Sequence, residues 1–451
     1  MSRKTVLLNG VNRFRDLVFD AEKHIWNNPE TGFKEWKTSK YMEDKFIELG
    51  HEITRFGDIP GFYADVDTGV PGPTVLVIGE MDALLCNTHP NADPETHAVH
   101  ACGHNAQCAS LLGLAGTLKV SDALTGLAGK IRLMAVPAEE MIELNFREGL
   151  KQSGNIRYLN GKAELMHRGF MDGVDLAILI HGWTDAPNQF LIRKGSNGCV
   201  VKNVSFKGRA AHAGSLPHLG INALYAATQG LNAINILRET FKEGDRVRVH
   251  SIIANGGDVA NTIPDTVIME SIVRGANTGT IVDVNGRVNL ALSGSAASIG
   301  ARVSIADRTF YYPLTNDANL MSIAEAAAGQ LVPKENIRVH RDERTASSTD
   351  MGDLSAVMPA IQLYCSGAAG TSHGSDYQIA DVDSACINAV RCYAMMINSL
   401  LENNAELAHK VMAEKNTAFA TQREYLNFVD RILTDRDGVV YKGNGLVMLQ
   451  S

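Results

Sequence analysis

An alternation that is interrupted once constrains the fold most. Short apolar runs at residues 74–78, 130–136, 174–180 and 360–365 are each bounded by Gly, Pro or Asp, and helical patterns lie between several of them. Runs this short and continuously apolar suit strands buried on both faces, so the pattern predicts an α/β fold with a largely parallel sheet flanked by helices. Between about residues 193 and 309 the order becomes strand (199–206), helix (221–237), strand (246–254), strand (266–273), helix (281–297) and strand (301–306). That is a complete βαββαβ, ferredoxin-like unit. The expectation is a discontinuous first domain, 1–193 and 311–451, with a second domain at 194–310 inserted into it. Ahead of the first strand, amphipathic stretches predict helices over 11–25 and 34–49, the latter ended by Gly50, which suits a left-handed C-cap. Beyond residue 404 a polar helical stretch and a Gly-containing end carry no signal of their role.

Composition narrows the class. With 451 residues, 45% of them hydrophobic, and a net charge of −8, the chain can bury more than one core. No stretch approaches the roughly 18 consecutive apolar residues of a membrane-spanning helix. The first ten residues hold a three-residue apolar run, too short for an export signal, so a cytoplasmic location is expected. Seven cysteines without a Cys-x-x-Cys pair predict reduced thiols. An acidic balance with no Lys/Arg block gives no electrostatic footprint for nucleic acid or anionic membrane, which leaves small molecules or short peptides as partners.

Four junctions carry the chemistry. His100-Ala-Cys102-Gly-His104-Asn105 lies just before a helical run over 106–119, where a helix N-terminus and any bound cation favour a thiolate at Cys102. Glu139-Glu140 follows the run over 130–136, and adjacent carboxylates there can point apart, one towards a metal and one serving as a base. His181 follows the run over 174–180, and His373 sits in a Gly-rich loop after 360–365. Sites in open α/β sheets gather beyond the carboxyl ends of strands, so these residues can converge from far apart in sequence. Five donors of mixed type, Cys102, His104, Glu140, His181 and His373, are too many for one tetrahedral zinc with an open position, and two ions fit better.

With these motifs the chain resembles the aminoacylase and carboxypeptidase-like amidohydrolases, a group of co-catalytic metallopeptidases. The matching stretches are Gly79-Glu-Met-Asp82, His100-Ala-Cys102-Gly-His104-Asn105, Pro137-Ala-Glu139-Glu140, His181-Gly182, Gly208-Arg-Ala-Ala-His212-Ala-Gly and Asn261-Thr-Ile-Pro264. The Cys-Gly-His-Asn form looks most like the aminobenzoyl-glutamate hydrolase branch. The resemblance implies that the inserted ferredoxin-like domain is a lid through which a homodimer forms. It implies that Cys102 bridges two divalent ions, zinc or manganese, whose shells His104, Glu140, His181 and His373 complete. It further implies Glu139 as general base, Asp82 as the carboxylate orienting a ligand, His212 as the oxyanion donor from the partner subunit, and Asn261 and Arg274 as substrate-binding residues. The reaction implied is hydrolysis of the amide in a small N-acyl amino acid, an aminobenzoyl-glutamate-like amide or a short peptide. The chain departs from many relatives at Asn105 and Gln107, where they carry Asp and His, and in a polar insertion around residues 148–162. It departs again over 348–353, which replaces a usual Glu-Asp-Phe.

Competing readings are weaker. Gly370-Thr-Ser372-His-Gly374 fits a serine-hydrolase elbow, with Asp381, Asp383 and His409 following in a usable order. Five residues separate it from the strand end, whereas an elbow needs a sharp strand-to-helix turn. Cys102 as a nucleophile leaves the carboxylates and other histidines without a task. A catalytically silent peptide- or amino-acid-binding protein of the same fold is the alternative from another functional class.

Overall fold

Three amphipathic helices come first in the computed structural model, which describes residues 2–444 and 446–450: α1 (Arg3–Arg13), α2 (Arg15–Trp26) and α3 (Trp36–Glu48). The single helix expected over 11–25 is instead broken at Phe14, where φ is −100° and ψ is 14°. The apolar periodicity runs through the break because Leu7, Val11, Val18, Ala21 and Ile25 all enter one core. After them come β1 (Phe62–Asp67), β2 (Thr74–Glu80), α4 (His104–Leu118), β3 (Lys130–Val136), α5 (Leu144–Gln152), α6 (Gly161–His167), β4 (Leu176–Thr184) and β5 (Phe190–Ser196). Every residue of α4 is buried. From His104 to Leu118 the sequence holds no Asp, Glu, Lys or Arg, and a mostly apolar helix with no charged face suits the core.

The chain forms two compact units, one of Met1–Gly195, Thr315–Glu343 and Asp353–Gln422, the other of Ser196–Leu314, Arg344–Gly352 and Arg423–Ser451. The second unit opens with β6 (Gly198–Lys207), α7 (Ala223–Leu237), β7 (Arg248–Asn255), β8 (Thr266–Gly275), α8 (Thr278–Ser298) and β9 (Arg302–Tyr311). Its strands pair antiparallel in the order β7-β8-β6-β9, with the apolar faces of α7 and α8 in the core beneath.

The first unit resumes with α9 (Ala318–Ala328), β10 (Ile337–Thr345, whose last two residues belong to the second unit), β11 (Ala360–Ala369) and α10 (Asn388–Ala413). Its nine-stranded sheet runs β1-β3-β2-β4-β11-β5-β10, with short strands at 54–55 and 378–379 added. The middle of that order, β3-β2-β4-β11, is parallel throughout. No described helix is long and apolar enough to cross a membrane. The tail departs from the expected grouping. Residues 423–451 belong to the second unit, where β12 (Asp435–Asp437) pairs with the edge of β9 and Arg436 lies 3.2 Å from Asp307, a buried carboxylate that also pairs with Lys202 at 2.7 Å.

Candidate active site

Because β3, β2, β4 and β11 are neighbours and parallel, the same sheet edge collects everything at their carboxyl ends. Asp82 follows β2, Glu139 and Glu140 follow β3, His181 lies in the second half of β4, and His373 sits in the loop after β11. His181 is thus inside its strand, which runs to Thr184, rather than just beyond it. Facing them is the start of α4, where Gly103, at φ +84°, turns the chain from Cys102 into His104. A Cβ on Gly103 would also fall 2.5 Å from the Tyr377 hydroxyl, so the position suits glycine twice over. The backbone N–H of His373 donates to Ala101 O at 2.9 Å, tying the distant loop to the Cys102 turn.

The ligand-capable atoms form two groups that share the sulfur. Those of Cys102, His104 and His181 lie within 4.8 Å of one another, and so do those of Cys102, Glu140 and His373. Glu139 joins a third such group with His104 and Glu140. Backbone and carboxylate acceptors set the imidazoles. His104 Nδ1 faces Asp82 O at 2.8 Å and Asp82 Oδ1 at 3.2 Å, and His181 Nδ1 donates to Gly182 O at 2.8 Å. Each ring in its neutral form therefore turns the lone pair of Nε2 inward. His181 Nε2 is 3.5 Å from Cys102 Sγ, while His104 Nε2 is buried without a hydrogen-bond partner. Glu140 Oε1 is likewise buried and makes no hydrogen bond, although His373 Nε2 approaches it to 3.2 Å. Lone pairs of sulfur, nitrogen and oxygen converging on one place are unfavourable by themselves and are satisfied by cations. The donor set fits divalent metal.

Electrostatics agree with the geometry. Burial and Glu140 push the Cys102 thiol up, but the imidazoles of His104 and His181 outweigh them and hold it at about 6. The Glu140 carboxylate raises His373 to about 11. Burial raises Glu140, yet His373 and His104 bring it to about 2. Asp82 uses its second oxygen, Oδ2, to accept from the Glu140 N–H at 2.7 Å, so one carboxylate steers both a histidine and the glutamate turn.

Residues that sequence reasoning passed over complete the surroundings. Glu80 is buried at 2.6 Å from Lys162 Nζ, accepts from Gln107 Nε2 at 2.9 Å and lies 3.3 Å from His104 Nε2. Lys162 and His104 outweigh its burial and hold it at about 2. The insertion over 148–162 therefore sends the Lys162 side chain inward, against Glu80. Asp353, in the departing stretch 348–353, is also buried and accepts from Asn160 at 2.8 Å. Glu80 was legible as part of its motif, but nothing local marks Lys162.

In the second unit, His212 bridges to Thr262 and the Ala213 N–H donates to Asn261 O at 2.9 Å, so His212 and Asn261 come together. His212 Nδ1 accepts from the amides of Gly214 and Ser215 at 3.1 and 3.2 Å, which leaves the proton on Nε2 as an exposed donor. Arg274 does not join them. It lies eight residues along β8 from Thr266, roughly 26 Å away at a strand's rise. The carboxylates of the serine-hydrolase reading have other partners: Asp381 accepts from Ser384 Oγ at 2.8 Å, and Asp383 pairs with Arg15.

The model of peptidase family M20/M25/M40 matches residues 76–399. The chain belongs to this family. As an M20-family member it is a hydrolase, and its relatives carry the same fold. It is 28% identical over 322 residues to an N-acetyl-L-cysteine deacetylase of Bacillus subtilis (strain 168), covering 69% of this chain and 72% of that protein. Over 259 residues it is 30% identical to one of the subunits of the p-aminobenzoyl-glutamate hydrolase of Escherichia coli (strain K12), 55% of each. Among solved structures, a dinuclear metal binding peptidase of Bacillus subtilis superposes with a TM-score of 0.64 and 20% identity, over 86% of this chain and 99% of that one.

Proposed function

We propose that this M20-family chain cleaves the amide bond of a small N-acyl amino acid, an aminobenzoyl-glutamate-like amide or a short peptide, with two divalent ions and Glu139 as general base. One observation carries the reading: two groups of ligand atoms share Cys102 Sγ, with Glu139 beside them. Cys102, His104 and His181 would hold one ion, and Cys102, Glu140 and His373 the other. Thiolate and imidazole favour zinc, whereas carboxylate tolerates manganese. When bound, the ions supply Lewis acidity to a water and to the scissile carbonyl. Glu139 accepts the proton of the attacking water and passes it to the leaving amine. His212 donates its Nε2 proton to the oxyanion, and Asn261 beside it contacts substrate, both from the lid of a second copy in a cytoplasmic homodimer. The substrate class is supported by the deacetylase and the aminobenzoyl-glutamate hydrolase among the relatives.

The test couples metal analysis to a hydrolysis screen of acyl amino acids, aminobenzoyl-glutamate and dipeptides. Glu139→Ala should lose roughly 10²–10⁴-fold in kcat, the usual contribution of general base catalysis, while keeping its metal. Retained turnover in that variant would overturn the assignment. Light scattering checks the dimer.

A further inference from the structure

Ala138, immediately before Glu139, has a φ of +58°, the left-handed region that residues with a Cβ enter at a cost on the order of 1 kcal/mol. Such a conformation persists only where its surroundings impose it. Two neighbours do so here. The Ala138 N–H donates to Glu35 Oε1 at 2.8 Å, and Ala138 O accepts from the Gly161 N–H at 3.0 Å. Glu35 comes from the loop before α3 and is fully buried, and its other oxygen makes no hydrogen bond. Space around the turn is equally restrictive. A Cβ on Gly161 would fall 1.7 Å from Pro137 O, and one on Gly32 would fall 2.9 Å from the Ala138 Cβ. The Glu140 amide is held from another side, donating to Asp82 Oδ2 at 2.7 Å.

We infer that Glu35 is a positioning residue for hydrolysis: its carboxyl pins the Ala138 amide and so fixes the elbow that aims Glu139 independently of Glu140. The inference rests on the reading of Glu139 as base. Releasing the Ala138 amide lets the elbow relax to negative φ, which swings the Cα–Cβ direction of Glu139. Proton transfer tolerates displacements of only about half an ångström, so turnover suffers. Glu140, still held through Asp82, keeps its place among the ligand atoms. The expected signature is a loss in kcat without loss of metal.

The experiment compares Glu35→Ala, Glu35→Asp, Glu35→Gln and Glu139→Ala in the metal-loaded full chain, measuring kcat, KM, bound metal and thermal midpoint. Glu35→Ala should lose about 10–100-fold in kcat, with KM within about twofold and metal content unchanged. Glu35→Asp, one methylene too short to reach the amide, should behave the same way and serves if the alanine variant fails to fold. Glu35→Gln offers the same acceptor oxygen and should stay within about threefold of native. Native kcat in folded Glu35→Asp or Glu35→Ala, whatever their thermal midpoints, overturns the positioning role. So does a Glu35→Gln variant as impaired as the alanine one. Full turnover in Glu139→Ala would instead bring down the base assignment itself, and this inference with it.

Discussion

Asn105 donates its side-chain amide to Glu22 Oε1 at 2.8 Å, and Gln107 donates to Glu80 at 2.9 Å. Both positions at which the chain departs from the resemblance thus face an acid, and an Asp at 105 would set two carboxylates against each other. Burial raises Glu22 to about 7 even though Asn105 and Lys23 oppose the rise. The folded protein therefore keeps the Glu22 proton up to about pH 7, whereas an unfolded glutamate gives it up near 4.5. Between those values the folded state binds more protons, so this contribution to stability is complete below pH 4.5 and is lost as pH rises through 7. Glu22→Gln should flatten that part of the stability profile and stabilise the protein at pH 8 by about 1 kcal/mol. Asn105→Asp should destabilise by about 1–2 kcal/mol at pH 8 and recover towards pH 5, where the pair can share a proton. Urea unfolding at the two pH values reads both, and parallel profiles for native and Glu22→Gln protein would contradict the argument.

The helix α4 organises the first unit as an element, since it is buried along its whole length and begins with a site residue. A Cβ on Gly116 would stand 2.7 Å from the Phe14 ring, the residue at which α1 gives way to α2. Alanine in a helix is favoured over glycine by about 1 kcal/mol, but overpacking a closed core costs about 1–3 kcal/mol. Packing should win, so Gly116→Ala is expected to lower unfolding free energy by about 1–2 kcal/mol in chemical denaturation, and a stabilised variant would refute the close contact. The break at Phe14 was not legible because the apolar periodicity runs through it unbroken, and the ring's neighbour Gly116 lies about a hundred positions away. The strands were legible because continuous apolar runs between breakers leave few alternatives, and the run over 130–136 is realised without change. The site was legible where ligands sit at strand ends with a recognisable spacing. Glu35 and Lys162 were not, since what distinguishes them is burial against Ala138 and Glu80, 103 and 82 positions away. Nor does any pattern in residues 423–451 say which strand edge they join.

At the scale of the whole molecule, metal and stability are linked. Ligand atoms that face each other without hydrogen bonds cost folding free energy, and ions that bind only the folded chain return it by mass action, about 2.7 kcal/mol at a hundredfold excess over Kd. The thermal midpoint should therefore fall on chelation, and calorimetry with and without chelator checks this; an unchanged midpoint would argue against resident ions. The most direct measurement is anomalous diffraction from crystals of the chain loaded with manganese or zinc. Two peaks are predicted, one among Cys102, His104 and His181 and the other among Cys102, Glu140 and His373, with the sulfur of Cys102 common to both. A single peak, or peaks away from these residues, would contradict the account.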